Sequence, residues 1–143
     1  MKTKTFLGLL VLAAFGVAKP SLAHHAFAAE YDASEPLTLT GVVVTVDWSN
    51  PHSYIHLDTK EKNGEVKHWM IEIAAPSQLL RHGLRKVDFT DGMTATVKVY
   101  QAKTDPTLAN GRLLELKDGR SFYIGSVGGP NDGAETQAKP FLQ

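Results

Sequence analysis

Apolar and polar residues alternate with a period of two from Leu37 to Ile124, and turn-forming residues separate the alternating segments. Successive side chains of a β-strand point to opposite faces of a sheet, so this pattern predicts strands in series. In chain order the predicted strands cover residues 37–48, 52–59, 66–73, 94–102, 111–116 and 121–124. The alternation divides the first of them into two faces, with Val42, Val44, Val46 and Trp48 on one and Gly41, Val43, Thr45 and Asp47 on the other.

The second and third predicted strands form a hairpin around a loop at residues 62–64, with Gly64 in the left-handed position. A slip of one residue would place Ile55 opposite Glu72, so the matching of apolar residues favours one register. That register has five cross-strand pairs: Ile55 with Ile71 and Leu57 with Trp69 on one face, and Tyr54 with Glu72, His56 with Met70 and Asp58 with His68 on the other.

A short helix is predicted over residues 76–82, because Pro76 stands in its first turn and Gly83 follows its end. The order of elements is therefore three strands, one helix and two or three further strands. This order is typical of the small Greek-key barrel of the oligonucleotide/oligosaccharide-binding (OB) type. We predict a mainly all-β fold, a small OB-like antiparallel β-barrel of five to six strands with one short helix between strands three and four. A simple antiparallel sandwich is the alternative.

The first 23 residues have the pattern of a cleaved secretory signal peptide. Two lysines precede an apolar run over residues 6–18, which is shorter than the roughly 18 residues that a membrane span requires. Cleavage after Ala23 gives a mature chain that begins at His24. Cleavage after Ala28 is the alternative, and it would remove both His24 and His25. We therefore expect a periplasmic or secreted protein with no membrane span after signal cleavage.

The predicted organisation is a single small domain between two flanking segments. The boundaries are a signal peptide at 1–23, an N-terminal His-containing segment at 24–36, a β-barrel domain at 37–124 and a flexible C-terminal tail at 125–143.

Composition narrows the classes of function. The 143 residues are 43% hydrophobic, which fits one globular domain. The chain has 15 Lys and Arg against 15 Asp and Glu, so it lacks the basic surface of a nucleic-acid binder, and we expect no nucleic-acid partner. It contains no cysteine, so a metal site must use His, carboxylate, Met or the terminal amine.

The N-terminus predicted for the mature chain is a candidate metal site. The α-amine and imidazole of His24, together with the imidazole of His25, are nitrogen donors that suit Cu(II). The alternative is a solvated terminus that binds nothing specifically.

A second group of candidate ligands lies on the polar face of the predicted hairpin. His56, His68 and Met70 are neighbours across and along the two strands, so they could converge on one ion. A thioether with imidazoles suits Cu(I), and His52 is a further candidate on the same face. The alternative is an ordinary solvent-facing polar stripe.

The turn Asn50-Pro51-His52 is a candidate ligand site of another kind. Proline fixes the turn, which would place His52 at the rim of the barrel, where OB folds commonly bind ligands. Alternatively, Asn50 serves only to cap the turn. The residues predicted for this rim are Trp48, Asn50, His52 and Tyr54.

Three stretches carry a distinctive combination of residues. They are residues 24–32 with a His-His-x-Phe start, residues 36–41 followed by Trp48-Ser49-Asn50-Pro51-His52, and Trp69 with Glu72, Pro76, Leu80, Arg81 and Gly83. The combination resembles a family of small exported bacterial proteins of unknown function, and the resemblance extends from His24 to about Arg120. It implies export and a single β-rich domain, and it supplies no catalytic residues. This chain departs from the family pattern at Tyr31, where Phe is commoner, and at residues 91–93, where Gly-Asp is usual.

No nucleophile, phosphate-binding or paired-carboxylate motif is present, so we expect no enzyme. The expected function is that of a non-catalytic binding module whose rim holds a periplasmic protein or a small organic ligand. The alternative is a periplasmic copper-binding carrier or accessory protein that uses the N-terminal and strand histidines. A third hypothesis is an oxidative enzyme with copper held at His24.

Overall fold

The structure is a computed structural model that describes residues 21–126 and Gly129, with the backbone alone for residues 21–25. The predicted order of five to six strands, with a short helix between the third and the fourth, is confirmed, and the described residues form six strands. In chain order the elements are α1 (Ser21–Glu30), β1 (Tyr31–Asp47), β2 (Ser53–Lys60), β3 (Val66–Ile73), α2 (Pro76–Arg81), a 3-10 helix (Lys86–Asp88), β4 (Thr94–Ala102), β5 (Leu108–Leu116) and β6 (Ser121–Tyr123).

The six strands form one mostly antiparallel sheet in the order β3-β2-β1-β4-β5-β6. In addition, β3 pairs with β5 in parallel, with Met70 beside Leu108 and Glu72 beside Asn110. The pairings of the first five strands therefore return to their start, from β1 through β2, β3, β5 and β4 to β1. The length of β1 allows this, because its first part pairs with β4 and its last part with β2.

The predicted register of the hairpin is confirmed. All five predicted pairs between β2 and β3 are present, and Gly64 has a positive φ of 88°. Ile55, Leu57 and Ile71 are fully buried, so this face of the hairpin forms part of the core. His56 and Met70 lie on the opposite, outer face.

The predicted division of β1 into two faces is wrong. A β-bulge interrupts its pairing with β2 at Val44. A bulge adds one residue to a strand and so reverses the facing of the residues beyond it. Val43 is buried before the bulge, whereas Val46 and Trp48 pack against the core after it. Val42 and Val44 are both exposed.

A second, smaller apolar cluster lies apart from the main core. It consists of Phe27 from α1, Tyr31 at the start of β1 and Ala102 at the end of β4, with Tyr100 and Leu108 packed against it. Part of the segment predicted at 24–36 therefore packs on the sheet, and β1 begins at Tyr31 rather than at Leu37.

The chain beyond β6 begins in a buried position. Gly125, Ser126 and Gly129 are buried, although they belong to the segment predicted as a flexible tail from residue 125. The other residues of that segment lie outside the described residues. Between residues 21 and 126, neither helix is long and apolar enough to cross a membrane.

Candidate functional site

The Glu72 carboxylate is the centre of a polar cluster, although its side chain is only 13% exposed. The Tyr31 hydroxyl donates a hydrogen bond to Oε2 at 3.0 Å. His52 Nδ1 lies 3.0 Å from Oε1, and Asn110 Nδ2 and Ser126 Oγ each donate to Oε1 at 3.3 Å. We call these five residues the Glu72 cluster.

Strand pairing explains why these side chains meet. Glu72 stands near the end of β3, where it pairs with Tyr54 of β2 on one side and with Asn110 of β5 on the other. His52 directly precedes β2, and Tyr31 begins β1. Residues of β1, β3 and β5, together with the residue that precedes β2, thus meet at one carboxylate.

Asn110 is the most deeply buried member of the cluster and has no solvent exposure. Its amide nitrogen donates to Ser126 Oγ at 2.9 Å as well as to Glu72. Its Oδ1 atom accepts no hydrogen bond from any of the described residues. An unpaired buried acceptor is costly, so this atom marks a point where a donor would be stabilising.

Two tyrosines near Glu72 are held in the neutral form. Burial raises the pKa of Tyr31 above its ordinary value, and the charge of Glu72 and the hydrogen bond to it raise the pKa further. Burial also raises the pKa of Tyr54, with smaller contributions from the charges of Glu72 and Glu30. Both phenols therefore act as neutral groups at physiological pH.

Arg112 contacts Ser126 of this cluster through its side chain, which also lies near Phe27 in α1 and Tyr123 in β6. Its side chain is buried, and its Cζ atom lies 5.1 Å from the ring centre of Tyr123 and 6.0 Å from that of Phe27. Nη1 donates to the Ser126 carbonyl at 3.4 Å. The backbone at Gly129 passes so close that an added Cβ would lie 2.2 Å from Nη1, which explains a residue without a side chain there.

Three histidines on the outer face each contact a carboxylate through one ring nitrogen. The pairs are His52 Nδ1 with Glu72 at 3.0 Å, His56 Nε2 with Asp47 at 2.8 Å and His68 Nδ1 with Asp58 at 2.5 Å. Within residues 21–126 the second nitrogen of each ring makes no hydrogen bond. Histidines that ligate metals are commonly oriented in this way, with a carboxylate on the other nitrogen.

The candidate ligands His56, His68 and Met70 share the outer face of the β2–β3 hairpin. His56 and Met70 are directly opposite each other, and His68 is opposite Asp58. The side chain of His68 is 77% exposed, and Met70 is 41% exposed as a residue. Among the residues that the structure describes, no three His, Asp or Glu side chains form a group that could hold a metal ion. On this face the Met70 thioether is the candidate third ligand beside the two imidazoles.

The other predicted metal ligands lie elsewhere. His52 belongs to the Glu72 cluster. It precedes the first residue of β2, whereas His68 pairs with Asp58 near the last residue of that strand. The side chains of His24 and His25 lie outside the described part of the chain, although the backbone of both residues is in α1.

The predicted rim is only partly assembled. His52, with a side chain 43% exposed, and Tyr54 lie beside Glu72. Trp48 turns towards the core, and Asn50 is exposed at a cis peptide bond before Pro51.

The sequence reasoning did not single out Tyr31, Glu72, Asn110 or Ser126 as members of a common site. The available signal was the run Asn110-Gly111-Arg112, where two polar residues interrupt the apolar pattern of a strand. The run contributes to the Glu72 cluster only because β3 pairs in parallel with β5, and no local sequence pattern specifies that pairing.

The described residues thus form a mostly antiparallel six-stranded sheet with a partly buried carboxylate cluster and an outer face bearing histidines. The chain matches the model of a family of unknown function, DUF6152, over residues 12–109, and it belongs to that family. The predicted resemblance to a family of unknown function is confirmed. The chain matches no curated protein and no solved structure.

Proposed function

We propose that this protein is an exported, non-catalytic binding module of the periplasm and that its ligand is a copper(I) ion. The observation that carries the proposal is that His56, His68 and Met70 share the outer face of the β2–β3 hairpin, with His56 directly opposite Met70. Each imidazole is oriented by a carboxylate, and the thioether lies on the strand that carries His68.

The donor set favours copper(I) over harder ions. A thioether is a soft ligand and binds soft ions in preference to Mg²⁺ or Ca²⁺, while imidazole accepts several transition metals. Cβ atoms of directly opposed residues such as His56 and Met70 are about 4.5 to 5.5 Å apart, and diagonal ones about 7 to 8 Å. Both spacings allow the longer side chains to reach a shared ion.

The exposure of the site favours a carrier. His68 and Met70 are accessible from outside the sheet, so a partner's ligands could approach an ion held there and exchange for them one at a time. Export is supported by the signal-like pattern of residues 1–23. Each of the first five strands pairs with two of the other four, so that the pairings form a closed circuit, and this supports an OB-like barrel as the scaffold.

The test is a competition between the mature chain and a chromogenic copper(I) chelator in the absence of oxygen. We expect Met70→Leu and His68→Ala each to weaken copper(I) binding at least tenfold. Met70→Leu is the sharper variant because it keeps the volume and apolar character of the side chain. The matched control is His82→Gln, because His82 lies beyond α2 and its Nδ1 contacts the Tyr123 carbonyl at 2.9 Å. Equal affinities for all four proteins would contradict the proposal.

A second candidate function is favoured by the geometry of His52. Its Nδ1 contacts the partly buried Glu72 carboxylate, while nearly half of its side chain is exposed. This pre-oriented imidazole, beside Tyr54, suits a small organic ligand or a protein partner that binds without metal. Stoichiometric binding that survives a chelator and is lost in His52→Ala would favour this function over copper transport.

A further inference from the structure

Phe27 is an anchor for the N-terminal helix, and this role bears on where the exported chain is cut. We infer that processing occurs after Ala23, so that the mature protein keeps residues 24–28; the inference rests on the proposed export. In the cut, water adds across the peptide bond between Ala23 and His24. The reaction leaves a carboxylate on Ala23 and a free α-amine on His24, and a signal-cleaving peptidase of the export pathway would catalyse it.

The ring of Phe27 is buried against the folded domain. Phe27 is 8% exposed, and its ring centre lies 5.1 Å from that of Tyr31 and 5.9 Å from that of Tyr100, the latter edge-on. The Arg112 guanidinium covers it at 6.0 Å. Burial of a phenylalanine in this way stabilises a fold, and its loss would expose three aromatic or cationic neighbours.

The backbone next to Phe27 is also tied to the sheet. Lys103 Nζ donates to the Ala28 carbonyl at 2.6 Å, and the Lys103 amide donates to the Glu30 carbonyl at 2.9 Å. A cut after Ala28 would remove the first of these acceptors. It would also create a positive α-amine at Ala29, close to the Lys103 ammonium, and like charges repel.

The same cut would weaken the Glu72 cluster. Tyr31 packs against Phe27 through its ring and donates to Glu72 through its hydroxyl. Removal of Phe27 would expose one side of the Tyr31 ring and loosen the geometry of that hydrogen bond. A cut after Ala23 leaves Phe27, Lys103 and the cluster as they are.

The first test is the intact mass of the product after export of the full precursor with its own leader. A mass that begins at His24 supports the inference. A mass that begins at Ala29 overturns it and leaves export standing. A precursor of unchanged mass overturns both the inference and the proposed export.

The second test exports the precursor of Phe27→Ala. If processing follows Ala23, the product has a lower mass than the wild type and a Tm lower by at least about 8 °C, because a buried ring is lost. If processing follows Ala28, residue 27 is absent from both products, so mass and Tm are identical. That identity would overturn the inference.

The matched control is Ala26→Ser, at an exposed position of the same helix. Its product is expected to change in mass and to keep the wild-type Tm within about 2 °C, since exposed substitutions have small effects. Phe27→Leu, which keeps an apolar side chain, is expected to recover at least half of the Tm lost in Phe27→Ala. A Phe27→Leu product as unstable as Phe27→Ala would contradict an apolar anchor.

Discussion

The Tyr31 hydroxyl donates a hydrogen bond to Glu72 Oε2 at 3.0 Å, across 41 positions of sequence. Tyr31 begins β1, and Glu72 stands near the end of β3, two strands that do not pair with each other. Tyr31 is 3% exposed, so water competes little for the bond. The contact fixes the entry of the chain into the sheet.

Replacement of Tyr31 by Phe isolates the energy of this bond, because the ring and its packing remain. We expect the free energy of unfolding to fall by about 1 to 3 kcal/mol, the range for hydrogen bonds to charged groups. Urea denaturation measures the change. Tyr54→Phe is the matched control. Tyr54 also lies near Glu72, and burial and the Glu72 charge raise its pKa, but no hydrogen bond to Glu72 contributes. Equal losses in the two variants would contradict a specific role for the Tyr31 bond.

The raised pKa of Tyr31 predicts a dependence of stability on alkaline pH. A tyrosine that keeps its proton more firmly in the folded state contributes full stability below its unfolded pKa of about 10. That contribution is lost as pH rises above this value, since the unfolded chain then releases the proton more readily. Unfolding free energies between pH 8 and 11 should therefore decline, and less steeply in Tyr31→Phe. Parallel curves for the two proteins would contradict the prediction.

An acid-sensitive contact joins the 3-10 helix to the turn before β6. Asp88, with a side chain 5% exposed, accepts from Arg120 Nη1 and from the Arg85 amide, each at 2.8 Å. The hydrogen bond from Arg120 is the main reason that the pKa of Asp88 is lowered. A lowered carboxyl pKa contributes stability above the unfolded value of about 4, and this stability is lost as pH falls.

Replacement of Asp88 by Asn should therefore lower stability at pH 7 by about 1 to 2 kcal/mol. It should also make the decline between pH 5 and 2 shallower than in the wild type. Unfolding midpoints measured across this range test both effects. Asp91→Asn, at an exposed turn position, serves as the control and should retain the wild-type acid profile.

Two glycines without positive φ are constrained by the space around them. A Cβ on Gly41 would lie 2.2 Å from the Asp58 carbonyl oxygen, a backbone atom that cannot move away. The three atoms nearest to a Cβ on Gly111 would be side-chain carbons, the closest 2.9 Å away on Ile124. Gly111→Ala should cost about 1 to 3 kcal/mol through overpacking, and Gly41→Ala should cost more. Thermal unfolding of the two variants shows which one loses more stability. A smaller loss of stability in Gly41→Ala than in Gly111→Ala would contradict the prediction.

An N-terminus at His24, as proposed, predicts a copper(II) site in addition to the proposed copper(I) site. An α-amine beside an imidazole at His24, with His25 next to it, suits Cu(II). In the mature chain, replacement of both histidines by Ala should weaken Cu(II) binding at least tenfold, measured against a competing ligand. Met70→Leu should leave Cu(II) affinity unchanged while it weakens Cu(I) binding. Loss of both affinities in one variant would show that the two sites are not independent.

The hairpin of β2 and β3 was predicted pair by pair because its register follows from local rules. The turn with Gly64 in the left-handed position and the apolar pair Ile55 with Ile71 are together compatible with one register of the hairpin. The facing of β1 was not predictable in the same way. The bulge at Val44 lies just beyond the point where the pairing of β1 with β4 ends, while its pairing with β2 continues. The run Val42-Val43-Val44 contains no polar residue that would show where the inward and outward positions exchange.

The candidate site was partly predictable for the same reason. The outer-face positions of His56, His68 and Met70 follow from hairpin register. The Glu72 cluster requires Tyr31, Asn110 and Ser126, which are 41, 38 and 54 positions away from Glu72. Their meeting depends on the order of strands in the whole sheet, and no periodicity within one strand encodes it.

The parallel contact between β3 and β5 has a consequence for how the chain folds. The β2–β3 and β4–β5 pairs join strands adjacent in sequence and can form early, whereas Glu72 and Asn110 meet only when the long intervening segment is in place. The entropy of closing such a loop must be overcome before the contact stabilises anything. We expect the amides of the two hairpins to gain protection from hydrogen exchange first. The amides that pair β3 with β5 should gain it last, on a timescale of about milliseconds to seconds.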